Sequence, residues 1–316
     1  MKKLILKSLL FLSPIIFPGI VIEYLLRLTP NDYKVKSAYY AEHAKDIEVL
    51  CLGESHAISG INPIYLDLKG FNGSHVLQSL NYDLIILKKY QKDLVNLKYL
   101  LIPISYASFT ENLENGREKW RVKNYFLYYD IKKIQNPYYY TEIFSLPFQT
   151  NIFRLTDYYI YKKSPITTDS LGHGLEFMII NQKSLEKTGE IAAKLHTATD
   201  YDNWKTNYES LREIISICNR KNVRVILFTA PANIHYVNNL QQEQLARTTT
   251  AARSLASSNK NVFYINLLTD PGFSDNDFYD ANHFSESGSR KLTTIINAII
   301  REFEKDRNSQ RQPALP

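Results

Sequence analysis

Four short apolar runs, Ile47–Leu52, Leu97–Ile104, Val223–Thr229 and Val262–Leu267, alternate along this chain with stretches of helical spacing. Such runs are too short for buried helices, and they fit strands covered on both faces. Leu68–Phe71 reads as a further small strand before the turn Asn72-Gly73-Ser74. Between and after the strands, Leu80–Leu94, Trp204–Cys218 and Gln241–Leu255 carry helical patterns, and an amphipathic helix over Ser287–Phe303 closes the chain. Alternation of strand, helix and strand predicts an α/β fold, a three-layer sandwich with a mainly parallel sheet and helices on both sides.

The rhythm breaks between 105 and 195, where Tyr, Phe, Asn and Lys dominate and the segments YYYTEIF and LGHG occur. This stretch is expected to be a lid-like or substrate-side insertion in one domain over 28–304, an independent domain being the alternative. The tail from Lys305 to Pro316 is expected to be disordered. Chains of 316 residues have room for a sizeable core.

Lys2, Lys3 and Lys7 precede an apolar stretch, Ser8–Ile22, closed by Glu23 and Arg27. With Leu4–Leu6 included, residues 4–22 are about long enough to cross a bilayer, and Lys7 can snorkel to the headgroups. Pro14 and Pro18 are tolerable in a spanning helix. The apolar run lacks a small-x-small cleavage signal near its end, which favours a retained anchor over 1–27. The positive charge ahead of it places the N-terminus in the cytoplasm and the remainder on the extracytoplasmic side, periplasmic or cell-surface. A buried helix of a soluble protein is the alternative.

The net charge of +6 is scattered. Lys119, Arg121, Lys123, Lys132 and Lys133 form a loose cluster with no long basic run interleaved with aromatics, so nucleic acid is not an expected partner. Arg117, Lys119 and Arg121 flank Trp120; a solvated face is the simpler reading, an anionic glycan site the sharper one. Cys51 lies in an apolar run and Cys218 on a helix, so both are expected as buried thiols. No spacing suggests a metal site, and neither GxGxxG nor GxxxxGK is present, so no cofactor is expected.

The chemistry concentrates at two places. Ser55 follows the first strand directly, in Gly53-Glu54-Ser55-His56, at the carboxyl end of a parallel strand where α/β folds gather ligands. A serine hydroxyl needs a base to become a nucleophile, and the base needs an orienting acid. Near the far end, Asp280-Ala281-Asn282-His283 supplies both, three residues apart and just before the last helix. The plain readings are a helix cap for Ser55, a turn residue for Asp280 and a surface histidine for His283. His56, His75, His173 and His235 are candidate substrate contacts, each also explicable as a packed or exposed loop residue.

Gly53-Glu54-Ser55-His56 together with Asp280-x-x-His283 resembles the SGNH (GDSL-like) hydrolase superfamily. It looks most like the membrane-anchored branch related to the D-alanine transfer protein of teichoic-acid synthesis and to polysaccharide O-acetyltransferases. The resemblance spans about residues 46–304 but rests on two short motifs, and Glu54 stands where many members have Asp. It implies a flavodoxin-like sheet, Ser55 as nucleophile, and Asp280 and His283 as acid and base. It also implies an oxyanion glycine and asparagine from the middle blocks, for which Gly73 and either Asn81 or Asn72 are the candidates. The expected activity is an O-acyl esterase or acyltransferase acting on an acylated envelope glycan or lipid-linked ester, with a membrane acyl-donor protein as partner if transfer occurs. A non-catalytic binding or assembly factor and a secreted lipase-like esterase are the rival readings.

Overall fold

The computed structural model describes residues 2–116, 118–131, 137–178 and 182–309. Arg117, Lys132 and Lys133 of the basic cluster, and the tail beyond Ser309, lie outside these residues. In chain order the elements are helices α1 (Lys2–Leu28) and α2 (Asp32–His43), strand β1 (Val49–Cys51), α3 (Ser55–Gly60), β2 (Gly70–Asn72), α4 (Leu80–Tyr90) and β3 (Tyr99–Pro103). There follow α5 (Val122–Tyr129), α6 (Phe148–Leu155), α7 (Leu185–His196), α8 (Trp204–Arg220), β4 (Arg224–Thr229), α9 (Ile234–Val237) and α10 (Gln242–Ser257). The chain closes with β5 (Val262–Asn266), β6 (Phe278–Asp280), β7 (His283–Phe284) and α11 (Glu286–Ser309).

Contacts divide the chain into two units, Met1–Ala38 with Arg117–Thr167, and Tyr39–Gly116 with Thr168–Pro316. The region expected as one insertion over 105–195 is thus shared: 117–167 groups with the first 38 residues, while 105–116 and 168–195 belong with the sheet.

The second unit holds five parallel strands in the order β2-β1-β3-β4-β5. This is the flavodoxin-like order, whose direction reverses between β1 and β3 and opens a crevice at their carboxyl ends. Strand alternation sorts the side chains. Val49, Cys51, Tyr99, Leu101, Ile226 and Phe228 share one core with Ala57 of α3, with Ile61 just after that helix, and with Leu292, Ile296 and Ile300 of α11. The four-residue spacing in α11 sets these three side chains on one stripe, each contributing roughly 1.5–3 kcal/mol by burial. The side chains of the opposite face, Leu50, Leu100, Val225 and Leu227, are buried as well, and α8 packs on both β4 and α4. α11 continues to Ser309, past the boundary expected at 304. Cys51 and Cys218 are buried thiols, and burial pushes the Cys218 thiol up to about 12.

In the first unit, α1 contains a 19-residue segment, Leu10–Leu28, with mean hydropathy 1.6 and only 6% of it buried, long and apolar enough to cross a membrane. Lys123 and Glu142 form a wholly buried ion pair, which Arg154 joins at 2.8 Å and Tyr128 through its hydroxyl. Burial lowers the Lys123 amine to about 8, against the opposing pull of Glu142. A buried pair of this kind depends on every lone pair being met, and here several donors converge on Glu142.

Candidate active site

Gly53 makes the turn from β1 toward α3 with φ +114°, a region that favours glycine. A Cβ there would stand 2.5 Å from Cγ and Cδ of Pro103. The backbone can leave the sheet at this point only because the side chain is absent. The Gly53 N–H donates to Asp83 Oδ1 at 2.8 Å, which fixes the turn from α4. Glu54 then caps α3, its carboxylate accepting from the His56 N–H at 2.9 Å, as acidic residues do at helix starts. Ser55 occupies the first position of that helix, where its own N–H has no carbonyl one turn behind it.

Asp280 and His283 face each other across the β6–β7 hairpin, where they are register partners. Asp280 Oδ1 accepts from the backbone N–H of Asn282 and of His283, at 3.1 and 2.9 Å, which pins the carboxylate. His283 Nδ1 lies 2.9 Å from Asp280 Oδ1, and His283 Nε2 lies 2.9 Å from Ser55 Oγ. With Nδ1–H donating to the carboxylate, Nε2 is left to accept from the serine hydroxyl. Burial alone would raise the Asp280 carboxyl, but the hydrogen bond and charge of His283 and the two N–H donors hold it below its ordinary value. Ser55 and His283 are only partly buried, so the hydroxyl remains reachable.

A second acid–histidine pair borders the first. His56 Nδ1 lies 2.7 Å from Glu54, both side chains being nearly buried, and His56 Nε2 lies 3.3 Å from Asn282 Nδ2. Burial pushes the His56 imidazole down, yet the Glu54 carboxylate outweighs it and holds the ring above its usual value. Burial likewise pushes Glu54 up, and the His56 charge and hydrogen bonds bring it down to about 2. His283 is stacked by two rings, His56 at 5.5 Å and Phe177 at 5.1 Å between centroids. His196 meets His56 edge-on at 6.3 Å and bonds the buried Tyr236 hydroxyl at 2.9 Å. A cavity of about 20 Å³ behind His56, lined by Ser105, Thr229 and Tyr236 among others, has room for roughly one water. A wider depression, about 1260 Å³ along α8 with Glu209, Arg212 and Glu213, has neither Ser55 nor His283 in its lining.

The structure brings Ser55, Asp280, His283 and His56 together. It corrects the two middle-block candidates beside β2. The Gly73 N–H is spent on the Cys51 carbonyl at 2.8 Å, and the glycine is required because a Cβ would sit 1.9 Å from Tyr40 Oη. The Asn72 amide donates to the carbonyls of Ala57 and Ile61, each at 2.7 Å, and its oxygen accepts from Ser74. Both groups hold α3 and β2 in place and have no donor left for an oxyanion. Asn81 stands in the first turn of α4, its amide oxygen accepting from Ser79 Oγ at 2.6 Å, with its N–H₂ uncommitted among the described residues. His75 and His173 are buried, His75 with its N–H on the Gly53 carbonyl, and His173 in a loop anchored to α3 by the bond from Gly174 N–H to Ile58 O. Such burial removes both from substrate reach. His235 is exposed on α9 and its neighbour Tyr236 is the residue that meets His196. Phe177, His196 and Asn282 escaped the sequence reading. Only Asn282 carried a signal, its place inside the Asp-x-x-His motif.

No family model matches the sequence, and no curated protein matches it. Among solved structures it is similar to a Streptococcus pneumoniae protein provisionally assigned as a platelet activating factor, at TM-score 0.44 and 11% identity over 90% of this chain and 98% of that one. A Bacteroides fragilis protein provisionally assigned as an acylhydrolase follows at TM-score 0.41 and 10% identity over 84% of this chain and 95% of the other. A GDSL-like lipase from Bacteroides thetaiotaomicron gives TM-score 0.40 and 10% identity over 85% and 99%. These are likenesses of chain trace at low identity, and the functional reading rests on the geometry of the site.

Proposed function

We propose that this protein is a serine-dependent O-acyl esterase or acyltransferase of the SGNH type, acting through an acyl-serine intermediate on a cell-envelope glycan or lipid-linked ester. The observation that carries the reading is the unbroken chain from Asp280 through His283 to Ser55, with both links at 2.9 Å. These are the distances at which a base can take the nucleophile's proton as the new bond forms.

In the proposed cycle His283 Nε2 accepts the Ser55 proton while Oγ attacks the acyl carbonyl. Asp280 keeps the imidazole in the required tautomer and offsets the imidazolium charge, and the face of Phe177 adds a further favourable contact for a cation. The imidazolium returns its proton to the departing alkoxide, leaving acyl-Ser55. Water or a sugar hydroxyl then gives its proton to His283 as it attacks the acyl carbonyl, and the imidazolium returns that proton to Ser55 Oγ as the acyl–serine bond breaks, which restores the site and completes hydrolysis or transfer respectively. The Ser55 N–H at the start of α3 and the Asn81 amide are the donors we assign to the oxyanion.

The apolar α1 is read as a single-pass anchor with the N-terminus cytoplasmic and the catalytic residues extracytoplasmic. Transfer would then require a membrane partner that delivers the acyl group, as in the D-alanine transfer and O-acetyltransferase branch that the motifs resemble. Labelling of the full-length protein with a fluorophosphonate tests the reading. The parent should label, and Ser55→Ala and His283→Ala should not. A folded parent that fails to label overturns the acyl-serine mechanism in favour of a non-catalytic binding or assembly factor.

A further inference from the structure

We propose that residues 138–161 of the unit that carries α1 form a second membrane element, an aromatic platform seated in the headgroup region of the bilayer. The proposal rests on the reading of α1 as a membrane span. Large apolar side chains are exposed along this stretch: Tyr138 at 62%, Phe144 at 69%, Phe148 and Phe153 at 59%, Ile160 at 69% and Tyr161 at 64%. Outside α1, three of the four exposed phenylalanines among the described residues lie here. Exposed apolar residues scattered singly need no explanation, but a concentration of this kind marks an interaction surface.

The occupant follows from where the stretch is fastened. Its bonds go to the carboxyl end of α1, at and beyond the point where the apolar run stops. Glu23 accepts from the N–H of Glu142 and of Ile143, both at 2.9 Å. The Leu25 carbonyl accepts from Tyr159 Oη at 3.1 Å, and Arg27 donates to the Tyr140 carbonyl at 2.6 Å. α6 packs against α1 as well. Phe144 therefore stands one residue from a fixed point at Glu23, and Ile160 one residue from a fixed point at Leu25. If the apolar run up to Ile22 fills the hydrocarbon, Glu23 to Arg27 lie at the membrane–water boundary, and so do the exposed rings. Aromatic side chains are the type enriched at that level. Lys162 and Lys163 follow directly and are exposed; Lys163 pairs with Asp157 at 2.8 Å, and Lys162 supplies the positive charge that suits a surface of anionic headgroups.

Spin labelling of the full chain in vesicles of phosphatidylethanolamine and phosphatidylglycerol tests this. Both native thiols are buried, so labels report Phe148→Cys, Phe153→Cys and Ile160→Cys, with Phe11→Cys in α1 and the exposed Ser257→Cys in α10 as references. The ratio of collision with oxygen to collision with a polar nickel chelate should be severalfold higher at 148, 153, 160 and 11 than at 257. A label at 11 that reads as membrane while 148, 153 and 160 match 257 overturns the platform and leaves the anchor standing. A label at 11 that also reads as water overturns both. All of the substituted side chains are exposed, and unchanged circular dichroism verifies that each variant is folded.

Discussion

His56 stacks on His283 with ring centroids 5.5 Å apart and planes inclined by 19°, so a buried imidazole held by Glu54 lies directly against the proposed general base. A charge on His56 opposes the imidazolium that His283 must become, and Glu54 offsets it at close range. His56 is therefore a positioning residue, setting the orientation and field of His283 without meeting the reacting atoms. Replacing His56 by Ala should lower the acylation rate roughly 10–100-fold, the scale of a misplaced catalytic group. Its pH–rate profile should shift as well, which loss of packing alone would not cause. Stopped-flow acylation by an activated ester across pH 5–9 gives both readouts.

Glu54→Gln breaks the buried pair and should cost about 3 kcal/mol, since the partner is left without its counter-charge. The sign of the pH dependence is fixed by the two shifts. His56 is raised in the folded state, so its contribution is full below about pH 6.5 and is lost as pH rises through the folded value. Glu54 is lowered to about 2, so its contribution is present above about pH 4.3 and is lost only as pH falls toward 2. The stability gap between parent and Glu54→Gln should be widest between about pH 4.5 and 6.5 and narrow above it. Thermal unfolding across that range checks this; a gap that widens steadily above pH 7 would refute the pairing.

Asp280→Asn preserves shape but lets His283 turn to the wrong tautomer. Reactivity of Ser55 should fall by about 10⁴ while the fold remains. Because Asp280 is held below its ordinary value in the folded state, its stabilising share is present above about pH 4 and disappears as pH falls through the folded value. Single-turnover acylation measures the first effect, and acid titration of parent against variant the second.

Gly53→Ala places a Cβ 2.5 Å from Pro103 in a backbone region of φ +114°. The combined strain and overlap should cost about 3 kcal/mol or more and displace Ser55. Gly73→Ala should also destabilise, through the contact 1.9 Å from Tyr40 Oη, but Tyr40→Phe should relieve part of that cost. The double variant should retain labelling at Ser55, because the Gly73 N–H serves Cys51 and no oxyanion. Denaturant midpoints and labelling yields separate these outcomes.

Asp83 is a buried carboxyl that burial pushes up to about 8, against the opposing bonds from Gln78 and Gly53. Both donors reach Oδ1, and Oδ2 has no partner among the described residues, which suits a proton on Oδ2. A raised carboxyl stabilises fully below about pH 4, and this share is lost progressively as pH rises toward 8. Asp83→Asn keeps the Oδ1 acceptor without titrating. Its melting temperature should gain on the parent as pH rises from 4 to 8.

Much of the fold was legible because it is written locally. The strand runs, the helices between them and the apolar α1 follow from periodicity and burial patterns within ten to twenty residues, and only their ends moved. The Asp280–His283 geometry was legible for the same reason, since a two-residue hairpin loop brings residues three apart face to face. Gly73 and Asn72 misled because a glycine and an asparagine after a strand look alike whether they serve an oxyanion or the packing of Tyr40 and α3. Their hydrogen-bond partners, Cys51, Ala57 and Ile61, are named only once the chain has folded.

The sequence by itself determined the parallel α/β sheet, the placement of Ser55 after β1 and of Asp280 and His283 before α11, and the apolar first helix. Tertiary structure decided that Ser55 and His283, 228 residues apart, meet at 2.9 Å, that His56 and Phe177 stack on the same imidazole, and that Glu23 fastens a segment 119 residues away. The division is physical. Hydrophobic periodicity and turn chemistry act over short separations and leave their mark in the chain, whereas a contact across hundreds of residues depends on the shape of the whole core and leaves none.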